Sequence, residues 1–205
     1  MRKGEKGKIF VISAPSGSGK TTICKEALKR VKNLVPSISL TTRNPRRGEK
    51  DKKDYCYTTV EVFKKKINNN EFLEWEENFG NFYGTPRRFV SDKIKDGKDV
   101  LLSIDVKGAA NIKKRFPESV LIFIKPPSIK ELLRRLKARN TDCDEEIARR
   151  INIAKKELKR MSMYDYVVVN KKLNDAIKEI IGIITKEREV RGGVYSRGKF
   201  TKKRK

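Results

Sequence analysis

The run Ala14-Pro15-Ser16-Gly17-Ser18-Gly19-Lys20-Thr21 directly follows the apolar stretch Ile9 to Ser13 and opens a segment of helical period. This order of strand, glycine-containing loop and helix constrains the fold more than any other feature of the chain. It fits the phosphate-binding loop pattern, with alanine in place of the first glycine. Backbone N–H groups of such a loop and the following helix N-terminus present partial positive charge to phosphates, and Gly17 and Gly19 let the backbone come close. Lys20 is placed to reach the β and γ oxygens, and the Thr21 hydroxyl to ligate Mg2+, the one metal expected. Thr22 is grouped with the loop as a triphosphate contact. A flexible Ser/Gly turn would not explain why Gly-Lys-Thr sits where a helix begins. The loop identifies a nucleoside triphosphate site and leaves the acceptor open.

Beyond the loop, short apolar runs alternate with segments of helical period, which predicts an α/β fold: a P-loop NTPase-type parallel sheet flanked by helices. Strands are predicted at Ile9–Ser13, Ile38–Leu40, Val100–Ile104, Val120–Ile124 and Tyr166–Val169. The helix Thr21–Lys32 carries Ile23, Ala27 and Val31 on one face with Cys24 and Leu28 beside them. Ser128 and Glu131 form a capping box before Ile129–Arg139, whose buried stripe is expected to be Leu132, Leu133 and Leu136. Two more helices are expected over Ile147–Met161 and Asp175–Glu189. The turn-rich, aromatic stretch from Thr41 to about Ser91 and the charge-dense Lys137–Ile151 read as inserted units that cover a substrate. From Arg188 onward the chain reads as a basic, glycine-containing tail with too little apolar content to fold alone.

Composition narrows the chemistry. The chain has no histidine, which excludes Ser-His and Cys-His mechanisms and imidazole-bound metals. Cys24, Cys56 and Cys143 lack metal-ligand spacing and read as reduced, unlinked thiols. No run approaches the roughly 20 apolar residues of a membrane span, so no membrane partner is expected and the location expected is cytoplasmic. The net charge of +25, from 51 Lys+Arg against 26 Asp+Glu, suits anionic partners, although most single lysines belong to solvated helix faces.

The acceptor is suggested by Ser39-Leu40-Thr41-Thr42-Arg43-Asn44-Pro45-Arg46-Arg47-Gly48-Glu49, then Asp54-Tyr55, Phe72-Leu73-Glu74-Trp75 and Gly80-Asn81-Phe82-Tyr83-Gly84-Thr85. Arg43 and Arg46 can fork onto a phosphate while the Tyr55 and Tyr83 hydroxyls donate to its remaining oxygens. A carboxylate such as Glu74 matches the paired N–H edge of guanine, and hydroxyls such as Ser39 or Thr85 match its O6; adenine cannot make that pattern. Asp105, at the end of an apolar strand, is a further candidate contact, or else a helix N-cap.

These segments, with "SIDVKGA", "RLKARNTDCDEEIARRI" and "VVVN", together resemble the guanylate kinase family, in the family's order from about Lys8 to Glu189. The resemblance implies transfer of the γ-phosphoryl group of MgATP to GMP or dGMP. It implies a P-loop core (residues 1–36, 92–136 and 152–190), a GMP-binding insertion (37–91) and a mobile lid (137–151), leaving a basic tail at 191–205. It further implies that Arg135, Arg139 and Arg150 gather on the transferring phosphoryl group and that Asn170 lies near the adenine. Ser103, Lys52, Lys107 and Asn140 depart from the family pattern; Ser103 removes a carboxylate from the region of GMP and magnesium. Two other readings stay open: a non-catalytic guanylate-kinase-like interaction module, against which Lys20, Thr21, Arg43 and Glu74 speak, and a nucleic-acid-dependent P-loop ATPase, which would leave the guanine reader unexplained. The basic tail is expected to add a nonspecific attraction to nucleic acid.

Overall fold

The computed structural model describes residues 6–46, 48–78, 80–138 and 143–189. Arg139, Asn140 and the 191–205 tail lie outside the described residues. In chain order, β1 (Ile9–Ser13) leads into α1 (Lys20–Arg30), β2 (Leu34–Pro36), β3 (Leu40–Thr41), β4 (Cys56–Tyr57), α2 (Val60–Asn68), β5 (Phe72–Asn78), β6 (Asn81–Pro86) and α3 (Arg87–Lys95). Then follow β7 (Asp99–Ser103), α4 (Val106–Arg115), β8 (Val120–Lys125), α5 (Ile129–Lys137), α6 (Asp144–Leu158), β9 (Tyr166–Val169) and α7 (Leu173–Glu189).

The first sheet has the order β2-β7-β1-β8-β9 and is parallel throughout. β1 lies at its centre with Val11 opposite Leu102 of β7 and Leu121 of β8. All of β1 is buried, as a strand covered on both faces must be, and its sequence is accordingly a continuous apolar run. Phe10 and Ile12 point into a core shared with Ile23 and Ala27 of α1 and Ile177, Ile180 and Ile184 of α7. Ile9 and Val11 point the other way, toward Val90 of α3, Ile112 of α4 and Leu73 of β5.

The second sheet, order β4-β3-β6-β5, is drawn wholly from residues 40–86. Its hairpin β5–β6 is antiparallel, and Phe63 of α2 stacks on Phe72 at 4.4 Å between ring centroids, giving this sheet a small aromatic core. The insertion is thus not only turns and short strands: α2 and α3 lie in or across it. Val60 and Val62 of α2 are exposed while Phe63 is buried, and α3 buries only Val90, so neither helix shows a broad apolar stripe in its sequence. The 91/92 and 151/152 boundaries fall inside α3 and α6.

Three expectations need correction. The second core strand is Leu34–Pro36, not Ile38–Leu40; Val35 pairs with Val100 of β7, and Leu40 instead opens β3 of the other sheet. A three-residue edge strand ending in proline leaves little apolar signal. Leu133 is exposed, whereas Leu132 and Leu136 are buried against Ile147 and Ala154 of α6. Arg188 is part of α7, not of the tail. The Ser128 hydroxyl does cap α5, accepting the Glu131 N–H at 3.1 Å.

Candidate active site

The loop after β1 turns through two left-handed glycines, Gly17 at φ 91° and Gly19 at φ 90°. Neither would accept a side chain. A Cβ on Gly19 would stand 2.6 Å from the Asn170 amide nitrogen, and one on Gly17 3.1 Å from Leu132 and Leu136. That packing holds the loop from behind: Asn170 Nδ2 donates to the Ser18 carbonyl at 2.8 Å, and Ser18 N–H donates to the Pro15 carbonyl at 3.0 Å. Lys20 begins α1 and its ammonium donates to the Ile104 carbonyl at 3.2 Å. Burial lowers the Lys20 pKa below the ordinary lysine range, with Cys24, Asp105 and Glu157 acting the other way.

A cavity of about 780 Å3 opens in front of this loop, a size suited to small-molecule ligands. Ala14, Pro15, Ser16, Gly17, Gly19, Lys20, Thr21 and Thr22 form one wall. Ser18 is buried instead, and its side-chain hydroxyl finds no partner among the described residues.

The opposite wall comes from the second sheet. Ser39, Arg43, Arg46, Tyr55, Glu74 and Tyr83 all line the cavity. Arg43 is preset: its Nη2 donates to both oxygens of Glu49 at 2.9 Å, and its guanidinium lies 5.4 Å from the Tyr55 ring centre. Glu49 also accepts from Tyr57 OH at 2.8 Å and from the Arg46 N–H at 2.8 Å. Burial works against the Glu49 charge, but these donors outweigh it and hold the carboxyl below its usual range. Glu74 is 6 % exposed and accepts the Thr85 hydroxyl. Burial first, then the charges of Asp105 and Glu76, push its carboxyl up to about 7 against the pull of that hydroxyl. Thr85 is fully buried behind Glu74 rather than in the cavity wall. Asp105 caps α4, Oδ1 accepting the Gly108 N–H at 2.8 Å, and also lines the cavity.

α6 supplies the third wall. Arg150 Nη1 donates to the Ser16 hydroxyl of the loop at 3.0 Å, and Arg149, Glu157 and Arg160 line the same cavity. Glu157 is pushed up to about 7, by burial first and Asp105 second, with Lys20 pulling down. Arg135 stands apart: it pairs with Glu131 at 2.8 Å and donates to the Asn170 carbonyl at 3.1 Å, away from the lining residues. Asn170 is likewise behind the loop. Arg139 lies outside the described residues.

Sequence reasoning missed Glu49, Glu76, Asn78, Arg149 and Glu157. Two signals could have found most of them: the strand alternation Glu74, Glu76, Asn78, and the helical spacing 146, 149, 150, 153 and 157 along one face of α6. Among the described residues no group of three or more His, Cys, Asp or Glu is arranged to hold a metal. The Thr21 hydroxyl on the cavity wall is instead the sparse oxygen donor that suits Mg2+, which keeps waters and substrate phosphates as most of its ligands, so the residues fit that ion.

The parallel sheet, the glycine loop at the end of its central strand and the cavity in front define a P-loop nucleotide-binding protein. The Guanylate kinase family model matches residues 6–187. The guanylate kinase of Caldanaerobacter subterraneus subsp. tengcongensis is 46% identical over 184 residues, 90% of this chain and 89% of that one. That of Thermotoga maritima is 46% identical over 183 residues, 89% and 88% of the two chains. Among solved structures, guanylate kinase from Anaplasma phagocytophilum superposes with a TM-score of 0.75 at 36% identity, covering 89% of this chain and 87% of its own. The chain belongs to the guanylate kinase family.

Proposed function

We propose that this protein phosphorylates GMP, taking the γ-phosphoryl group of ATP and requiring Mg2+. The observation that carries this reading is that one cavity is lined by the phosphate loop and also by a buried carboxylate, Glu74, and a preset arginine, Arg43. Glu74 accepts from the paired N–H edge of guanine, Ser39 donates to O6, and Arg43, Arg46, Tyr55 and Tyr83 hold the monophosphate. The acceptor oxygen is already anionic, so a chain without histidine lacks nothing this chemistry needs. Lys20, Arg150 and, on closure, Arg135 and Arg139 neutralise charge on the moving group. Thr21 is the residue that would hold Mg2+, which would supply charge neutralisation to the phosphates. The 37–91 unit and the 137–151 lid close over the two nucleotides and exclude water.

Coupled measurement of ADP formation with GMP, with AMP and with RNA tests the reading. GMP-dependent turnover is expected; RNA-dependent turnover would favour the ATPase reading, and none at all the interaction-module reading. Lys20→Ala should abolish transfer while GMP still binds, since its contacts lie on the other wall; turnover near that of wild type would remove Lys20 from the chemistry.

A further inference from the structure

β5 and α4 meet along a polar seam, of which Glu74, Glu76, Asn78 and Asp105 line the cavity. Glu74, Glu76 and Asn78 are two residues apart and so share one face of the strand, while Asp105, Gly108 and Asn111 are three apart and share one face of the helix. The two faces are matched. Gly108 leaves room for Glu74, since a Cβ there would stand 2.6 Å from Glu74 Oε2. Asn111 Nδ2 donates to Glu76 Oε1 at 2.7 Å. Asn78 Nδ2 donates to Asp105 Oδ2.

The last contact divides the Asp105 carboxylate between two donors. Oδ1 is taken by the Gly108 N–H at the start of α4, and Oδ2 by an amide carried on the second sheet. A carboxylate held at both oxygens by groups on different elements cannot turn about its terminal torsion, which is otherwise broad. The orientation matters because the Asp105 charge is felt by Lys20 of α1, Glu74 and Glu76 of β5, Glu157 of α6 and Tyr164. Released from Asn78, Oδ2 would be free to turn and so to change the field these groups feel.

We infer that Asn78 is a positioning residue of the reaction: its side-chain amide, brought by the acceptor-side sheet, fixes the plane of Asp105 in the cavity that Lys20 shares. The role rests on the GMP kinase reading and adds a coupling to it. Asp105 is set correctly only while β5 lies along α4, so the placement of the acceptor sheet governs a group beside the donor loop. Asn78 acts through Asp105 and needs no contact with either nucleotide.

The test is a double-mutant cycle on kcat and KM in wild type, Asn78→Ala, Asp105→Asn and the double variant, each checked for folding by thermal melting. Asn78→Ala should lower kcat on the order of tenfold, the loss expected for a hydrogen bond to a charged group, with KM for GMP and ATP changed by less than about threefold. The same substitution in the Asp105→Asn background should cost little more. Equal fractional losses in both backgrounds, or a raised KM for GMP with kcat intact, would overturn the role. If Asp105→Asn falls below detection, the kcat-against-KM split in the single variant decides alone. Wild-type protein without GMP-dependent turnover would instead defeat the functional reading on which this rests.

Discussion

Glu74 combines burial with a hydrogen bond from the Thr85 hydroxyl, and its carboxyl is pushed up to about 7. For the folded state this is a cost. The folded state binds a proton that the unfolded chain releases, so stability falls as pH rises from the ordinary glutamate range through about 7, and the penalty is complete above it. Its size is about 3 kcal/mol. Glu74→Gln removes the titration, so melting curves of variant and wild type should separate increasingly from pH 5 to pH 8, the variant being the more stable at the upper end; parallel curves would mean the carboxyl is not held up. The guanine edge offers two N–H donors and calls for the ionised form, so KM for GMP should fall as pH rises across about 6 to 8 in wild type and stay flat in the variant. A glutamine also turns one N–H toward a donor, at a cost of roughly 2–4 kcal/mol, or on the order of 30- to 1000-fold in kcat/KM for GMP. AMP presents a ring acceptor at this edge and should lose less. An unchanged preference in kcat/KM for the two monophosphates would move specificity to the Ser39 hydroxyl.

Elements differ in how well the sequence announces them. β1 and β8 read correctly because central parallel strands are continuous apolar runs, the edge strand β9 because it is still an unbroken Tyr-Val-Val-Val run, and α1 because a glycine loop fixes its start. The Leu34–Pro36 strand is three residues long and lies at the sheet edge, and α2 and α3 are short helices that bury one residue each; period alone could not raise them above the turns around them. At the site, the phosphate loop and the Arg43 and Glu74 segments were legible as motifs. Of the partners that set them, Glu49 lies six residues from Arg43 but carries no sign of its pairing in the motif, and Asn78 reaches Asp105 across 27 residues, a contact between segments that no local pattern carries. The arginines show the same limit. Spacing could not tell Arg150, whose guanidinium reaches Ser16 in the loop, from Arg135, which bonds the Asn170 carbonyl. Arg150→Ala should therefore lower kcat at least tenfold with a smaller change in KM, as expected for a contact that strengthens as charge moves. Arg135→Ala tests closure: a comparable fall in kcat means that α5 brings the side chain onto the phosphoryl group, whereas lowered melting temperature with kcat intact confines it to bracing the Asn170 segment.

At the scale of the whole molecule, the two ends of the described chain are fastened to the first sheet by one buried acid. Asp99, 4 % exposed at the start of β7, accepts the Lys8 N–H at 2.6 Å and Arg188 Nε at 2.5 Å. Lys8 Nζ donates to the Glu187 carbonyl at 2.6 Å, and Glu187 Oε1 accepts the Tyr166 hydroxyl at 2.6 Å. This clasp ties β1, β7, β9 and the end of α7 together. Arg188→Ala takes one charged partner from the buried Asp99 carboxylate and should cost about 2 kcal/mol, or roughly 4–8 °C in melting temperature for a chain of this size. Residues 191–205 carry seven basic and no acidic side chains, and the proposed role for them is a nonspecific attraction to RNA that weakens as salt rises, because released counterions drive it. Truncation after Glu189 separates the two functions of this end of the chain: it leaves the clasp whole and removes the charge. The truncated protein should melt within about 1 °C of the full chain and keep its rate with GMP, while retention on RNA should drop at low salt and converge with the full chain at moderate salt. Retention unchanged at both salts would strip the tail of that role, and a large fall in melting temperature would show that residues beyond the clasp also hold the fold.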